Sequence, residues 1–167
     1  MKTGLPVQIR TATIADLVAI NQIYNYYVEH STCTYDEQNN TEAQRRAWFD
    51  THDTRQPIIV AESDKQVIGW GSLSYFRPRI AYRFTVENSV YVDYKQQRRG
   101  IGSLLLSDLI ERAKILKYHS IIAGIDAEQQ ASVAFHAKFG FKQVADLRQV
   151  GFKFSRWLDV IYMQLML

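Results

Sequence analysis

Hydrophobic and polar residues follow two different periods along this chain, and the period changes several times between its ends. In about seven short segments, apolar residues alternate with polar ones or run together with β-branched and aromatic residues, which is typical of strands. These segments are residues 7–11, 57–62, 67–75, 84–94, 119–125, 141–151 and 156–165. A short polar turn joins the segments at 57–62 and 67–75, which predicts a hairpin.

Between these strands, apolar residues recur every three or four positions, as they do along one face of a helix. The first such stripe consists of Leu17, Ile20, Ile23, Tyr24 and Tyr27, and it follows Thr13 and Asp16, which are spaced as in a capping box. A second predicted helix begins at Thr41, a third follows Gly102, and a fourth covers residues 130–139 and ends at Gly140. The mixed order of strands and helices predicts an α/β sandwich with helices on both faces of a central sheet.

Length and composition indicate an ordinary globular protein. The 167 residues suit a single domain, residues 1–167, and 47% hydrophobic with 22% charged residues is a common balance. No apolar run approaches the roughly 18 to 20 residues of a membrane span. Residues 1–6 precede no long apolar run either, so we expect neither a membrane association nor a secretory signal.

Cysteine content and charge narrow the class further. The single cysteine, Cys33, excludes an intramolecular disulfide and a cysteine metal cluster, so we expect a cytoplasmic protein without a metal. The net charge of +3 suits an acidic ligand. Because the basic residues are scattered rather than gathered into a stripe, we do not expect nucleic acid as a partner.

The turn between the predicted strand at 84–94 and the third helix carries the strongest chemical signal. Gly100 and Gly102 remove side chains where the helix begins, which exposes backbone N–H groups at the positive end of the helix dipole. Arg98 and Arg99 add positive charge beside these groups. The turn therefore predicts a phosphate or pyrophosphate site, and glycines that allow tight helix packing are the structural alternative.

The spacing of this turn distinguishes it from other phosphate-binding motifs. No lysine follows Gly102 as in a P-loop, and the first glycine of a dinucleotide fingerprint is missing. Gln97-x-x-Gly100-x-Gly102 instead resembles the signature of the GNAT family of acyl-CoA-dependent N-acyltransferases. The resemblance implies the GNAT fold, whose mixed central sheet is splayed at the coenzyme A site, with acetyl-CoA as co-substrate.

The same resemblance implies where the parts of coenzyme A bind. The pyrophosphate falls to the turn residues Arg98, Arg99, Gly100, Ile101, Gly102 and Ser103. The pantetheine arm runs beside Val90, Tyr91 and Val92, and one of their backbone N–H groups polarises the thioester carbonyl. Gln129 is a further cofactor contact, although the related enzymes usually have asparagine there and usually have glycine in place of Arg98.

Two longer segments, residues 76–92 and 151–160, resemble the phosphinothricin N-acetyltransferase branch of this family, which includes methionine sulfoximine acetyltransferases. Residues 126–141 resemble the family's second acyl-CoA segment. The branch implies a homodimer that acetylates the α-amino group of a small amino acid analogue. Its substrate contacts are Arg77, Pro78 and Arg79, with Glu87, Asn88 and Ser89 beside them.

Forming an amide from a thioester requires a base for the amine and an acid for the departing thiolate. The resemblance places the general base at Glu87, and a cross-strand ion pair with a nearby arginine is the alternative. His136 stands where many family members carry a proton-donating tyrosine. A packing role for His136 is its alternative, and Tyr91 is a rival proton donor.

Several residues keep more than one interpretation. Tyr35, Tyr82, Lys153 and Trp157 complete the pocket, or they belong to the core or to a dimer contact. Cys33 has no accompanying Cys–His–acid set, so we expect direct transfer in a ternary complex.

Two other functions would share the coenzyme A site. An acetyltransferase of protein or peptide N-termini would have an open acceptor groove, whereas Arg77 and Arg79 favour a small anionic acceptor. A non-catalytic acyl-CoA-binding module would not need both Glu87 and His136. The sequence therefore predicts an acetyl-CoA-dependent N-acetyltransferase of a small amino acid.

Overall fold

Seven strands form one mixed sheet across residues 6–167, the part of the chain that the computed structural model describes. In chain order they are β1 (Gln8–Thr11), β2 (Ile58–Ser63), β3 (Gln66–Tyr75), β4 (Thr85–Val92), β5 (Ser120–Asp126), β6 (Lys142–Lys153) and β7 (Arg156–Met166). Their spatial order is β1-β2-β3-β4-β5-β7-β6, in which β4 and β5 are parallel and the other neighbours antiparallel. Residues 1–5, most of the segment considered for a secretory signal, lie outside the described residues.

Four helices cover the two faces of this sheet within residues 6–167, namely α1 (Leu17–His30), α2 (Glu42–Asp50), α3 (Ile101–Ile115) and α4 (Gln130–Lys138). On the face of α1 and α2, Ile20 and Trp70 are buried in one apolar cluster. On the opposite face, Leu105 and Leu109 of α3 belong to a larger cluster against which α4 packs. The predicted order of elements and the predicted helices on both faces are confirmed. None of the described helices is long and apolar enough to cross a membrane.

The predicted turns and caps are made by the expected residues. At the start of α2, the Gln44 N–H donates to the Thr41 hydroxyl at 3.2 Å, and the Thr41 N–H donates to the Gln44 side chain at 2.8 Å. Asp64 and Lys65 have φ angles of 51° and 58°, which a two-residue hairpin turn between β2 and β3 requires. Gly140 follows α4 with a φ of 88°, which explains why the helix ends there.

The sheet opens between β4 and β5. These strands share only the pairs Thr85–Ser120, Val86–Ile121 and Glu87–Ile122 within the described residues. Beyond Glu87, β4 stays in register with β3 as far as Val92, whereas β5 continues in register with β7. The predicted splay of the sheet is therefore confirmed. β4 separates from β5 while it keeps an unbroken register with β3.

The free edge of β4 turns alternate backbone groups toward this opening. The Phe84 carbonyl accepts from the His119 N–H at 2.8 Å on the β5 side, and the Asp93 N–H donates to the Ile68 carbonyl at 3.0 Å on the β3 side. Because the direction of backbone groups alternates along a strand, the N–H of Val90 lies on the β5 side. Val90 thus presents its N–H to the opening.

Candidate active site

Two cavities meet where β4 and β5 separate. The gap cavity, of about 310 Å³, lies in the opening itself and is lined by Glu87, Asn88 and Ser89. The loop cavity, of about 420 Å³, lies over the turn between β4 and α3. The residues that line both cavities are Cys33, Val90, Tyr91, Ser132 and His136. A ligand in one cavity can therefore react with a ligand in the other across the edge of β4.

The loop cavity gathers most of the predicted cofactor residues. It is lined by Val90, Tyr91, Val92, Arg98, Gly100, Ile101, Gly102 and Ser103. Arg99 is not part of this lining, and its guanidinium donates to the Gln96 side chain. Gln129 lies at the gap cavity instead, where its amide donates to the Thr32 hydroxyl at 3.2 Å. The structure therefore brings the turn residues together and places Gln129 away from them.

The two glycines of the turn serve different purposes. Gly100 is the N-cap of α3 and has a φ of 82°, a left-handed conformation that favours glycine. A side chain on Gly102 would meet Phe135 at 3.6 Å, an ordinary packing distance, so the fold itself does not require glycine there. Without that side chain, the first N–H groups of α3 remain accessible from the loop cavity, as an anion site requires. The tight-packing alternative therefore does not explain Gly102.

Arg98 adopts a left-handed backbone conformation, which explains why related enzymes usually have glycine at this position. Its φ is 61°, in the left-handed region where a side chain costs roughly 1 to 2 kcal/mol. The turn thus keeps a conformation that glycine would adopt without strain, and it gains a guanidinium beside the loop cavity.

Glu87 is a half-buried carboxylate without a counter-ion close enough to form a salt bridge in residues 6–167. Its neighbours across the sheet are Ser74 on β3 and Ile122 on β5, so the cross-strand ion pair considered above is not formed. Burial raises the pKa of the Glu87 carboxyl, and the positive charge of Arg77 opposes this shift. A carboxylate that is open to a cavity and has a raised pKa is suited to accept a proton from an amine.

His136 is buried at the junction of the cavities, and both of its ring nitrogens are engaged. Nδ1 lies 2.9 Å from the Ser132 carbonyl, which can only accept, so Nδ1 carries the proton of the neutral ring. Nε2 lies 3.1 Å from Asn88 Nδ2 and accepts from it. Burial lowers the pKa of His136, which favours this neutral form. Asn88 Oδ1 is buried without a hydrogen-bond partner in residues 6–167, and a flip of this amide would place an acceptor opposite a protonated Nε2.

Tyr91, the rival proton donor, lies at the same junction. Its hydroxyl donates to the Cys33 carbonyl at 3.4 Å, and its ring stacks on Trp70 at 4.9 Å between centroids. Burial raises the pKa of Tyr91 well above 10, so its hydroxyl holds a proton at neutral pH. Desolvation also raises the pKa of the Cys33 thiol, whereas a nucleophilic cysteine needs a lowered one.

Residues 31–35, here called the bridging loop, contribute to both cavities, and only Tyr35 among them was named from the sequence as a possible pocket residue. Lys153 is 1% exposed, and its ammonium donates to the carbonyls of Ser31 at 2.8 Å and Thr34 at 2.7 Å. The Tyr35 hydroxyl donates to Asp126 at 3.1 Å. A side chain on Gly151 would approach the Tyr35 ring to 2.3 Å, so the loop and β6 touch closely here. Lys153 therefore holds the bridging loop against β6.

The loop with Arg77, Pro78 and Arg79 is exposed and lines neither cavity. The Arg77 guanidinium lies 4.9 Å from the centroid of the Phe76 ring, and its charge acts on the Glu87 carboxyl. Tyr82 and Trp157 are exposed as well, at 44% and 62%. Of the predicted substrate residues, Glu87, Asn88 and Ser89 lie at the gap cavity, and the basic loop lies outside its lining.

Comparison with known proteins agrees with this geometry. Residues 20–141 match the acetyltransferase (GNAT) family. An L-methionine sulfoximine/L-methionine sulfone acetyltransferase from Pseudomonas aeruginosa is 42% identical over 164 residues, which are 96% of this chain and 95% of that protein.

Two solved structures superpose closely on the whole fold. A phosphinothricin acetyltransferase from Sinorhizobium meliloti in complex with acetyl-CoA has a TM-score of 0.93 and 37% identity, covering 96% of this chain and 88% of that one. A ribosomal-protein-alanine N-acetyltransferase from Brucella melitensis has a TM-score of 0.94 and 42% identity, covering 96% of this chain and 99% of that one.

Proposed function

Because the chain belongs to the GNAT acetyltransferase family, we propose that it transfers an acetyl group from acetyl-CoA to the α-amino group of a small amino acid analogue such as methionine sulfoximine or phosphinothricin. The observation that carries this proposal is Glu87, a half-buried carboxylate without a salt-bridge partner in residues 6–167, in a cavity that meets the loop cavity at the edge of β4. The relatives named for these two substrates give the acceptor its chemical class.

Acetyl-CoA fits the loop cavity as co-substrate, and it supplies an activated acetyl thioester when bound. The first N–H groups of α3, left open by Gly102, would hold its pyrophosphate, and Arg98 would add a positive charge. The strand residues Val90, Tyr91 and Val92 would flank the pantetheine arm, and the Val90 N–H would face the thioester carbonyl at the opening.

The chain's own residues then move two protons. Glu87 accepts a proton from the acceptor's ammonium group, directly or through water, and the neutral amine forms a bond to the acetyl carbon. The bond between that carbon and sulfur breaks, the thiolate takes a proton from His136 at the cavity junction, and the new amide nitrogen releases its remaining extra proton to water. For this donation, His136 must carry a second proton on Nε2 against its lowered pKa, and Asn88 Oδ1, turned toward Nε2, would stabilise that proton. Tyr91 supplies the proton in the rival scheme.

The exposed basic loop with Arg77, Pro78 and Arg79 binds the acceptor in this proposal. Arg77 and Arg79 bind the α-carboxylate of the acceptor at the mouth of the gap cavity, because guanidinium groups pair with carboxylates through two N–H bonds. The electrostatic effect of Arg77 on Glu87 supports this placement. Arg79→Ala should then raise the KM for the acceptor more than it lowers kcat.

A substrate panel tests the proposal directly. Thiol release from acetyl-CoA is measured with methionine sulfoximine, methionine sulfone, phosphinothricin, unmodified amino acids and peptides that begin with alanine. We expect turnover with the first three compounds. Turnover with the peptides alone would assign the chain to protein N-terminal acetylation, the activity for which the Brucella protein is named. Tight acetyl-CoA binding without turnover on any acceptor would indicate a binding module.

We further propose that residues 1–167 act as one domain, that the protein is a cytoplasmic homodimer without a metal, membrane or nucleic-acid partner, and that acetylation of phosphinothricin confers herbicide resistance. One sheet whose strands run from Gln8 to Met166 supports the single domain. Expression in a phosphinothricin-sensitive host tests the resistance, because growth in the herbicide requires the activity.

A further inference from the structure

A third cavity, of about 250 Å³, lies between the sheet and the helices α1 and α2, and we call it the helix cavity. Two of its lining residues carry buried N–H groups that have no acceptor in residues 6–167. These groups are Arg45 Nη2 and Trp70 Nε1, on residues that are 4% and 2% exposed. Buried donors are normally paired, so two unpaired donors in one cavity indicate an acceptor that is not part of the described chain.

Arg45 is surrounded by aromatic rings rather than by carboxylates. Its guanidinium carbon lies 4.4 Å from the centroid of Tyr24 and 4.7 Å from that of Trp48. Its Nε donates to Asn21 Oδ1 at 3.1 Å. No carboxylate of residues 6–167 lies within salt-bridge distance of Arg45. The aromatic rings offset part of the free-energy cost of burying this cation, and a ligand with oxygen acceptors would offset more of it.

One carboxylate, Asp36, does line the helix cavity, and it is already committed to other donors. Its Oδ2 accepts from the Tyr24 hydroxyl at 2.7 Å and from Asn40 Nδ2 at 3.4 Å. The remaining polar groups at the sheet are the hydroxyls of Ser72, Ser74 and Ser89. Together with Arg45 and Trp70, these hydroxyls suit a ligand group with several oxygen acceptors and little hydrogen to donate.

The helix cavity adjoins the gap cavity, because Ser89 and Tyr91 line both. On this face of the sheet, the cross-strand pairs Ser74–Glu87, Ser72–Ser89 and Trp70–Tyr91 follow one another. Successive pairs on one face are roughly 6.6 Å apart, since each residue advances a strand by about 3.3 Å. A polar row therefore leads from the proposed base, past Ser89, toward the donors of Arg45 and Trp70.

The spacing from Glu87 to Ser89 along this row matches the distance from the α-nitrogen of an amino acid to the end of its side chain, rather than to its carboxylate. From the α-nitrogen, the δ position of an extended side chain lies about 5 Å away, by standard bond lengths near 1.5 Å. With the amine at Glu87, oxygens on the δ atom reach about as far as Ser89, roughly 6.6 Å along the row, and Ser89 lines the helix cavity as well as the gap cavity. The α-carboxylate stays near the amine, within reach of the basic loop.

We propose that the helix cavity is the subsite for the oxygen-bearing side-chain end of the acceptor, a sulfonyl, sulfoximine or phosphinate group, with Arg45 and the Trp70 N–H as its donors. The proposal rests on the proposed function and adds the residues that select the side chain. Arg45 is then a specificity-determining residue on α2, outside the segments 76–92, 126–141 and 151–160 that the sequence analysis compares with related enzymes.

The test compares acceptors that differ only in their side-chain oxygens. For wild type, we expect kcat/KM for L-methionine sulfone to exceed that for L-methionine, because methionine leaves the buried donors unpaired. Arg45→Met should reduce this preference by roughly 10- to 100-fold, the range of one lost charge-assisted hydrogen bond. The KM for acetyl-CoA should stay unchanged, because the loop cavity does not include Arg45.

Two further variants keep the test specific. Trp70→Phe keeps an aromatic ring against Tyr91 and removes the N–H together with one ring of the indole, so the preference should fall by several-fold. Arg46→Met is the matched control, since Arg46 is the next residue of α2, is exposed and pairs with Asp50. It removes the same charge from the same helix and should leave the preference intact.

Direct binding of L-methionine sulfone, measured by calorimetry without acetyl-CoA, separates failure of the subsite from failure of the proposed function. Weaker binding in Arg45→Met than in Arg46→Met supports the subsite even if the sulfone is not acetylated. A folded Arg45→Met that acetylates and binds the sulfone like wild type overturns it. If Arg45→Met does not fold, Trp70→Phe decides: a wild-type preference in that variant overturns the proposal.

Discussion

At the scale of single residues, we expect the buried carboxyl of Glu87 to lower the stability of the fold and to act as the catalytic base. One substitution separates these two effects. Burial raises the pKa of its carboxyl above the ordinary value of 4.5, so ionisation at pH 7 is less favourable in the folded chain than in the unfolded chain. Glu87→Gln should therefore increase the free energy of unfolding at pH 7. The same change should lower kcat by about 10²-fold or more, the range of a positioned general base.

Denaturant titration over a pH series checks the first half of this prediction, and steady-state kinetics checks the second. The gain in stability should be complete above the raised pKa of Glu87, shrink as the pH falls from there toward 4.5, and be absent below 4.5, where the carboxyl is protonated in both states. Glu128→Gln is the control, because Arg156 pairs with Glu128 and lowers its pKa, so no gain is expected. Wild-type turnover in Glu87→Gln would make Glu87 a structural residue.

Gly102 allows a second prediction at this scale, because the fold tolerates a side chain there and the proposed cofactor does not. Gly102→Ala should stabilise α3 by less than about 1 kcal/mol, the alanine–glycine difference in a helix interior, since Gly102 lies in the first turn. Gly102→Val should raise the KM for acetyl-CoA about 10-fold or more, with alanine intermediate, because the added carbons cover the N–H groups of the helix start. Thermal unfolding and acetyl-CoA kinetics measure the two effects. An unchanged KM in both folded variants would remove the pyrophosphate from this turn.

Site residues could be predicted from the sequence where their signal is local. Gly100 and Gly102 stand between a strand pattern and a helix pattern, so their spacing alone indicated an anion site. Arg45 carries no such signal, because Arg46 beside it has the same side chain and faces solvent. Lys153 contacts residues about 120 positions earlier in the chain, at Ser31 and Thr34, and no periodicity reports a contact of that kind.

At the scale of elements, one buried ammonium makes two of the hydrogen bonds that hold the bridging loop. Lys153→Met keeps the length of the side chain and removes its donors, which leaves the Ser31 and Thr34 carbonyls without their partner. We expect a loss of roughly 1 to 3 kcal/mol in stability. The KM values for acetyl-CoA and for the acceptor should rise together, because the loop lines both cavities.

Lys142→Met provides the control for this prediction, since Lys142 is an exposed residue at the start of the same strand, β6. Chemical denaturation and bisubstrate kinetics should leave that variant close to wild type. If Lys153→Met loses stability but keeps both KM values, Lys153 supports the fold and does not position the bridging loop for binding.

The pattern of β-branched and aromatic residues predicts the strand β4 but not the point at which the sheet opens. The strand at 84–94 was predicted from its β-branched and aromatic residues, and the observed β4 is shorter by a residue or two at each end. Nothing in that stretch marks Glu87 as the last residue paired with β5. The splay was expected from the family resemblance alone, because pairing between strands 35 residues apart depends on tertiary packing.

At the scale of the whole molecule, the strand and helix periods of the hydrophobic residues account for the buried layers on both faces of the sheet. They do not account for the apolar surface exposed at the β6 edge of the sheet. Both core clusters consist largely of residues from the predicted stripes and strands. The hairpin of β6 and β7 departs from this pattern, because Val150, Phe152, Phe154 and Trp157 are 49% to 62% exposed. An edge strand with this much apolar surface normally associates with another chain.

The last prediction is that this hairpin forms the interface of a homodimer, because a second copy would cover the apolar edge. Phe152 and Trp157 pack on each other at 5.1 Å between ring centroids, so replacing both with glutamate places like charges at the centre of the patch. We expect Phe152→Glu with Trp157→Glu to shift sedimentation-equilibrium mass from dimer to monomer. Val18→Glu with Ile115→Glu is the matched control, since these residues are 52% and 76% exposed elsewhere on the surface, and it should remain dimeric. A monomeric wild type, or a dimer that survives the hairpin substitutions, would contradict the prediction.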